Sequence, residues 1–368
     1  MKQLSVVIVN YNVRHFLELC LQSVRVATTM MDAEIIVVDN ASVDDSCEIV
    51  KTLFPEVILI ANKDNVGFST ANNQGVAIAQ GDYVCILNPD TCVTEETFTK
   101  LLDFAEKTSK MGVVGTRLID GTGRFLPESK RNLPTPKVAF QKIFGSGTSY
   151  YAHHIDQTAI EPVTVLVGAF MFLKRSVYQE VGGFDEQYFM YGEDIDLSYT
   201  ITKAGYQNYY FGETTVLHYK GESTAKDTTY RKRFYGAMRI FYQKHFKSNP
   251  AESCGVRIGL WLATLSRKRT IENQITPPTA YAIATENDAL GQQLSEVLQA
   301  DVEKVTQIEI LKEGTEIFLD VAHLSYIGCM RLISESGDKQ FTFKIIPKNT
   351  TFAIGSNSKE GRGEVLHF

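Results

Sequence analysis

The sequence predicts an α/β protein of two units: a larger one with a doubly wound, mostly parallel sheet, and a smaller Rossmann-like one behind it. Three observations carry this. Over residues 1–116, short apolar runs without polar alternation recur between helical stretches, which is how parallel strands buried on both faces read. The same strand and helix alternation returns after Tyr281. Between them stands Pro277-Pro278, a dipeptide that interrupts regular structure and marks a boundary.

The first strand is Leu4-Ser-Val-Val-Ile-Val9, closed by Asn10 and too short for the apolar region of a signal peptide. A helix from His15 to Ala27 follows, then strand Glu34 to Val38, helix Asp44 to Leu53, strand Val57 to Ala61, helix Ser69 to Ala79, strand Tyr83 to Leu87, helix Glu95 to Lys107 and strand Gly112 to Gly115. Residues 117–160 hold Gly121, Gly123, Pro127, Pro134, Pro136, Gly145 and Gly147 among basic and aromatic residues. That is loop chemistry rather than core, and it predicts a mobile excursion. Regular structure resumes over Val163 to Leu173, passes an acidic cluster at Glu193 to Asp196 into a helix reaching Ala204, and continues with strand Tyr209 to His218 and helix Tyr230 to Phe246.

These elements divide the chain into a first unit over 1–246, a helical connection over 247–278 and a small α/β unit over 279–368. In the last, strands are expected at Tyr281 to Thr285, Val305 to Ile310, Glu316 to Val321 and Phe341 to Ile346, with helices at Asp288 to Ala300 and Ser325 to Ser336. No GxGxxG loop opens it, which argues against dinucleotide binding there.

At 368 residues, with 44% hydrophobic and 22% charged residues, the chain is globular and too long for one ordinary core. A net charge of -6 argues against a whole-surface attraction to nucleic acid. The six cysteines lack CxxC spacing and several fall in apolar runs, so they read as reduced core thiols of a cytoplasmic protein. No segment approaches the roughly 18 apolar residues of a spanning helix, which leaves only peripheral contact with the inner face of a membrane. Gly255 to Arg269, with Trp261 and Arg267-Lys-Arg269, could lie in such an interface or pack as a bridging helix.

Three predicted parallel strands end in polar groups: Asn10-Tyr11-Asn12, Asp39-Asn40 and Asn88-Pro89-Asp90. In open α/β sheets ligands bind outside the carboxyl ends of the strands, so these side chains converge on one crevice. Asp39 suits hydrogen bonds from a ribose or base, and Asp90 suits a hard divalent cation, although a strand-end Asp can also simply cap a helix. Downstream, Glu193, Asp194 and Asp196 lie within four residues before a helical stretch. Some of that acidity serves the helix N-terminus, but clustered like charges also raise the proton affinity of a member, as a general base requires.

These fragments, Val7-Ile-Val-Asn-Tyr-Asn12, Ile36-Val-Val-Asp-Asn-Ala-Ser42, Asn65-Val-Gly-Phe-Ser-Thr-Ala-Asn-Asn73, Leu87-Asn-Pro-Asp-Thr91, Val181-Gly-Gly-Phe-Asp-Glu186 and Tyr191-Gly-Glu-Asp-Ile-Asp-Leu197, keep an order and spacing that resembles the inverting family 2 glycosyltransferases of GT-A fold, in their rhamnosyltransferase-like branch. The resemblance implies a nucleotide-diphospho-sugar donor and a glycan or polyprenyl-diphosphate-linked acceptor in bacterial envelope synthesis. It implies that Asn10, Tyr11 and Asp39 contact the nucleoside, with Asn65 and Asn72 near the donor. Asp90 takes the last position of the family's DxD metal motif, for Mg2+ or Mn2+, while Asn88 stands where the first Asp would be and keeps only an oxygen acceptor. Asp194 takes the place of the base, following Glu193, and Asp196 is structural. His218 matches a late His that ligates the metal or approaches the diphosphate.

Two rival functions share parts of this pattern. A non-catalytic nucleotide-sugar-binding scaffold would not need the carboxylates, and a nucleotidyltransferase would want a Gly-rich, basic phosphate loop after the first strand, which Asn10 to Leu17 does not supply. The C-terminal unit, with Phe343-Lys-Ile-Ile-Pro347 and Ile354-Gly-Ser-Asn-Ser358, is similar to truncated Rossmann-like segments beside envelope glycosyltransferases. It reads as a regulatory unit, or one that docks a partner or a second copy.

Overall fold

The computed structural model describes residues 2–135, 150–220, 228–246, 277–308, 310–336, 340–356 and 363–368, together with Val138. The segment with Trp261 and Arg267 to Arg269, Cys254, and most of the 247–278 connection lie outside them.

The chain opens β1 (Leu4–Asn10), α1 (Arg14–Ala27), β2 (Ala33–Asp39), α2 (Ser46–Leu53), β3 (Ile58–Ala61), α3 (Phe68–Ile78) and β4 (Tyr83–Leu87). The four strands are parallel in the order β3-β2-β1-β4. All of β1 is buried because successive side chains enter different cores. Leu4, Val6 and Ile8 pack with Leu17, Leu21 and Val24 of α1, whereas Val7 and Val9 pack with Ala71 and Val76 of α3. The absence of polar alternation is therefore the imprint of helices on both sides. Gly75 permits the close fit of α3, since a Cβ there would lie 2.4 Å from Val7 Cγ1.

Next come β5 (Thr91–Cys92), α4 (Thr97–Lys107), β6 (Met111–Ile119), β7 (Ile160–Pro162), β8 (Phe170–Lys174), α5 (Arg175–Glu180), α6 (Glu193–Lys203), β9 (Gln207–His218) and α7 (Thr228–His245). They extend the sheet to β3-β2-β1-β4-β8-β6-β9-β5, with β8 antiparallel to both neighbours and β7 paired to β9. Two expectations change here. Strand structure over 163–173 begins only at Phe170, and Val165 instead makes an isolated bridge with Arg131. The 117–160 stretch is not all excursion either: β6 runs to Ile119, and Leu126, Ser129, Lys130 and Arg131 are buried. Gly and Pro mark where a chain turns, but not whether the turned chain is covered.

The last unit holds β10 (Ala280–Ala284), α8 (Asp288–Leu298), β11 (Val302–Lys304), β12 (Thr315–Asp320), α9 (Val321–Glu335), β13 (Thr342–Ile346), β14 (Phe352–Gly355) and β15 (Glu364–His367). Its order is β11-β10-β12-β13-β14-β15, the first four parallel and the last two antiparallel. The strand expected at 305–310 lies earlier, at Val302–Lys304; Val305 adds only one N–H bond, to the Ile283 carbonyl at 2.9 Å, and with Ile308 fills the core. Periodicity cannot separate an apolar run that pairs from one that only packs.

The two sheets share a core. Phe16, Cys92, Ile119, Leu217 and Tyr219 of the first unit pack in one cluster with residues such as Ile317, Phe343 and Ile354 of the second. Helix α9 breaks at Ser325, whose φ is 59°. It restarts with the N–H groups of Tyr326 and Ile327 donating to the Glu95 carboxylate at 2.7 and 2.9 Å. Among the described residues no helix is long and apolar enough to cross a membrane.

Candidate active site

The carboxyl ends of β1 and β2 are laced together. Asn10 and Asp39 are register partners, and the Asn10 amide donates to Asp39 at 2.8 Å and to the Ser42 hydroxyl at 3.1 Å. The Ser42 N–H donates to the other Asp39 oxygen at 2.8 Å, while Asn12 accepts from the Val43 N–H. Asn12 and Ala41 both have positive φ, 57° and 63°. Asn tolerates that region and Ala rarely visits it, so the Ala41 turn is held by its surroundings. Asn10 Oδ1 is buried without a hydrogen-bond partner among the described residues, and Tyr11 stands half-buried beside it.

Asn65 shapes the backbone: its side chain accepts from the Gly67 N–H at 3.0 Å. Gly67, at φ 87°, is the residue where α3 begins, and a Cβ there would collide with the Phe189 carbonyl at 2.7 Å. Asn72 is fully buried; its amide donates to the Phe68 carbonyl at 2.9 Å and its Oδ1 has no partner among the described residues. Asn73 receives the Tyr178 hydroxyl and the Phe184 N–H and donates to the Phe184 carbonyl, so it fixes the Gly-Gly-Phe-Asp loop.

Beyond β4, Asn88, Asp90 and His218 meet. His218 Nε2 lies 3.4 Å from Asp90 Oδ1 and 3.4 Å from the Asn88 amide. Cross-strand pairing of Thr91 with His218, and a Tyr219 N–H to Asp90 carbonyl bond of 3.0 Å, hold the two segments in register. Those 3.4 Å separations exceed a good direct hydrogen bond, and buried His218 Nδ1 also lacks a partner among the described residues. One carboxylate, one imidazole and one amide suit Mg2+ or Mn2+ if phosphate and water complete the shell. Among the described residues no cluster of three or more His, Cys, Asp or Glu side chains stands ready to hold an ion alone. Close by, Lys220 pairs with Glu128; burial works to raise the Glu128 carboxyl, but Lys220 brings it below the usual range.

The acidic cluster sits on the first turn of α6, entered through two left-handed residues, Tyr191 (φ 71°) and Gly192 (φ 80°). Its three carboxylates differ in surroundings. Asp196 is locked by the Tyr188 hydroxyl, by Lys244 at 2.8 Å and by His245 at 2.6 Å. Asp194 Oδ2 receives Arg131 at 2.6 Å and the Gly168 N–H at 3.1 Å, and Oδ1 receives the Ile195 N–H. Glu193 Oε2 is buried without a partner among the described residues. Burial first, and the Asp194 charge second, push the Glu193 carboxyl up to about 8.

The two clusters are joined through consecutive residues. Ala169 accepts the Asn88 N–H at 3.0 Å, and Gly168 donates to Asp194. The late start of β8 frees this segment for both tasks. Arg131 was not singled out in the sequence. It is buried, its guanidinium reaches the Leu166 carbonyl as well as Asp194, and its charge is strengthened by Asp194 against the cost of burial. One Arg in a Gly- and Pro-rich stretch carries no signal of its own; it is set in place by bridges to Val165 and Tyr151, which lie far away in sequence.

Residues 5–182 match the glycosyl transferase family 2. Over 241 residues the chain is 30% identical to an N-acetylglucosaminyl-diphospho-decaprenol L-rhamnosyltransferase of Mycobacterium tuberculosis, covering 61% of this chain and 78% of that relative. The chain belongs to glycosyltransferase family 2. This family 2 enzyme is also 27% identical over 197 residues to the rhamnosyltransferase WbbL of Escherichia coli K12, across 50% of its own length and 73% of WbbL. Among solved structures, the mannosyltransferase PcManGT from Pyrobaculum calidifontis, in complex with GDP-Man and Mn2+, aligns at a TM-score of 0.47 with 18% identity, covering 72% of this chain and 71% of that one. Membership makes the chain a glycosyltransferase, not a passive scaffold or a nucleotidyltransferase. The nine-stranded sheet is its GT-A unit.

Proposed function

We propose that this glycosyltransferase moves a sugar from a dTDP- or UDP-sugar, with dTDP-rhamnose the first candidate, to a hydroxyl of a glycan carried on a polyprenyl-diphosphate lipid. The relatives' names motivate the substrate class, and the protein would work at the cytoplasmic face of the membrane. The observation that carries the chemistry is the Gly168-Ala169 link between Asp194 and the Asn88, Asp90 and His218 group. It supports reading Asp194 as the proton acceptor and the Asp90 group as the leaving-group site of one crevice.

The reaction is a single displacement. The acceptor oxygen forms a bond to the anomeric carbon as the bond to the diphosphate breaks; the electron pair leaves with the diphosphate, the hydroxyl proton passes to Asp194, and configuration inverts. Asp194 keeps a lone pair on Oδ1 for that proton, since Arg131 and Gly168 occupy Oδ2. Glu193, protonated near neutral pH, lets the adjacent pair carry one negative charge instead of two. Asn10, Tyr11 and Asp39 receive the nucleoside, with Asn65 and Asn72 shaping the α3 side of the crevice. Asp90 and His218, with Asn88 alongside, would hold a Mg2+ or Mn2+ ion, whose positive charge would offset the negative charge developing on the leaving diphosphate. The unit after residue 279 acts in cis as a regulatory support, through the core it shares with β5 and β9.

The test is a panel of dTDP-, UDP- and GDP-sugars with Mg2+ or Mn2+, following nucleotide diphosphate release with and without lipid acceptors. Absence of donor binding across the panel sinks the reading. Asp90→Ala should weaken metal-dependent donor binding by about tenfold or more, as loss of a charged contact does. Equal donor affinity with and without metal in both proteins would contradict the role given to Asp90.

A further inference from the structure

Helix α7 carries Arg231, Lys232, Arg233, Arg239 and Lys244 and no acidic residue, within a chain whose net charge is -6. Its buried side, with Ala237, Met238 and Phe241, packs under the start of α6; a Cβ on Gly192 would lie 3.1 Å from Ala237 and 3.2 Å from Met238. Of the five cations, Lys244 is consumed by Asp185 and Asp196. Lys232, Gln243 and Arg239 are exposed, and with Gly236 they fall at helical spacings of four, three and four along one stripe. Open space surrounds Gly236. Arg233, also exposed, lies over the ring of Phe189 at 4.6 Å, one of the few large apolar side chains that face outward. No carboxylate pairs with Lys232, Arg233 or Arg239 among the described residues.

We propose that this face of α7, Lys232, Arg233 and Arg239 with Phe189 at its edge, docks on an anionic phospholipid surface and thereby presents the Asp194 end of the site to an acceptor held in that membrane. Charge complementarity selects the occupant: a concentrated positive stripe on an otherwise acidic protein is attracted to a negative plane. Glycine at the centre of the stripe lets the plane approach closely, and a half-exposed aromatic at the edge suits a headgroup boundary. The inference rests on the lipid-linked acceptor reading, and it assigns the contact to α7 rather than to the basic segment at 267–269.

Flotation of the full chain with vesicles of phosphatidylcholine alone, or with one third phosphatidylglycerol, tests this. Wild type should float with the anionic vesicles and not the neutral ones, and rising salt should release it. The triple variant K232Q/R233Q/R239Q should bind about tenfold to a hundredfold more weakly, with its melting temperature and its donor hydrolysis in solution unchanged. The proposal is overturned if wild type ignores phosphatidylglycerol, if the triple variant floats like wild type, or if R267Q/K268Q/R269Q abolishes flotation while the α7 variant retains it. Anionic flotation without turnover of any donor would sink the transferase reading while leaving the docking face supported.

Discussion

Asp90 and Asp194 are both buried carboxylates at the carboxyl edge of one sheet, yet the protein treats them oppositely. Asp194 is given a permanent partner, a buried guanidinium at 2.6 Å, with two backbone N–H groups also donating to it. Among the described residues Asp90 pairs with an imidazole at 3.4 Å, and that imidazole has a second nitrogen without a partner among them. A carboxylate whose charge is already compensated can be held oriented through every turnover. One whose compensation is incomplete is suited to a cation that arrives with the donor. Under the proposed mechanism, the contrast would separate a fixed proton-handling side from a donor side completed by its ligands.

The most severe way to break the comparison is Asp194→Asn. It keeps shape and loses the acceptor of the proton, so transfer should fall by about 10²- to 10⁴-fold, the usual contribution of a positioned base. Donor affinity should stay near wild type, because the substitution lies on the other side of the Gly168-Ala169 link. Release of nucleotide diphosphate in the presence of acceptor, beside donor titration, measures both; unimpaired turnover excludes Asp194 as the base.

Arg131→Met tests whether the Asp194 partner is as permanent as its geometry suggests. Removing one member of a buried ion pair leaves an uncompensated charge, which costs about 3–5 kcal/mol. Denaturant unfolding should register that loss, and adding Asp194→Asn to the same chain should restore much of it. If the double variant is no more stable than Arg131→Met alone, the ion pair is not what holds this corner.

How much of this could be read in advance differs between the two sides. The shared edge of Asn10, Asp39, Asn88 and Asp90 was legible, because each ends an apolar strand or lies within three residues of its end, and strand-end residues of a parallel sheet share an edge wherever the crossovers lead. The acidic cluster was only half legible. Glu193 and Asp194 stood out as adjacent charges before a helix, but their difference in environment depends on Arg131 and Gly168, sixty-three and twenty-six residues away in sequence. Neither lies in a periodic element. The shared core of the two units was likewise hidden, since Cys92, Leu217 and Tyr219 read simply as apolar residues and nothing local says which sheet will cover them.

Glu193→Gln sharpens the comparison through pH. The folded protein holds the Glu193 carboxyl near 8, above its unfolded value, so between roughly pH 4.5 and 8 the native state binds more proton than the unfolded chain. Stability contributed at this site is therefore greatest in acid and declines as pH rises through that window. The Gln variant, neutral throughout, should melt higher than wild type above pH 8 and show a flatter decline of melting temperature from pH 5 to 9. A parallel decline in both proteins would mean that Glu193 is ionised in the fold.

The smallest expected effect concerns how the donor side keeps its shape without a built-in counter-charge. Tyr219 follows His218, gives its N–H to the Asp90 carbonyl, packs its ring edge-on to Phe16 at 5.2 Å and donates its hydroxyl to the Ile354 carbonyl of the second unit at 3.3 Å. The C-terminal unit thus braces the Asp90 and His218 pair through one side chain. Tyr219→Phe leaves the ring and the N–H in place and removes the long hydroxyl bond to Ile354, a loss of about 1 kcal/mol in unfolding free energy. If bracing matters to the site, Mn2+-dependent donor binding should weaken measurably while metal-free donor binding does not change. If the two fall together, or neither moves, the hydroxyl serves only the packing of the two sheets, and the donor side is held by the β5 and β9 pairing alone.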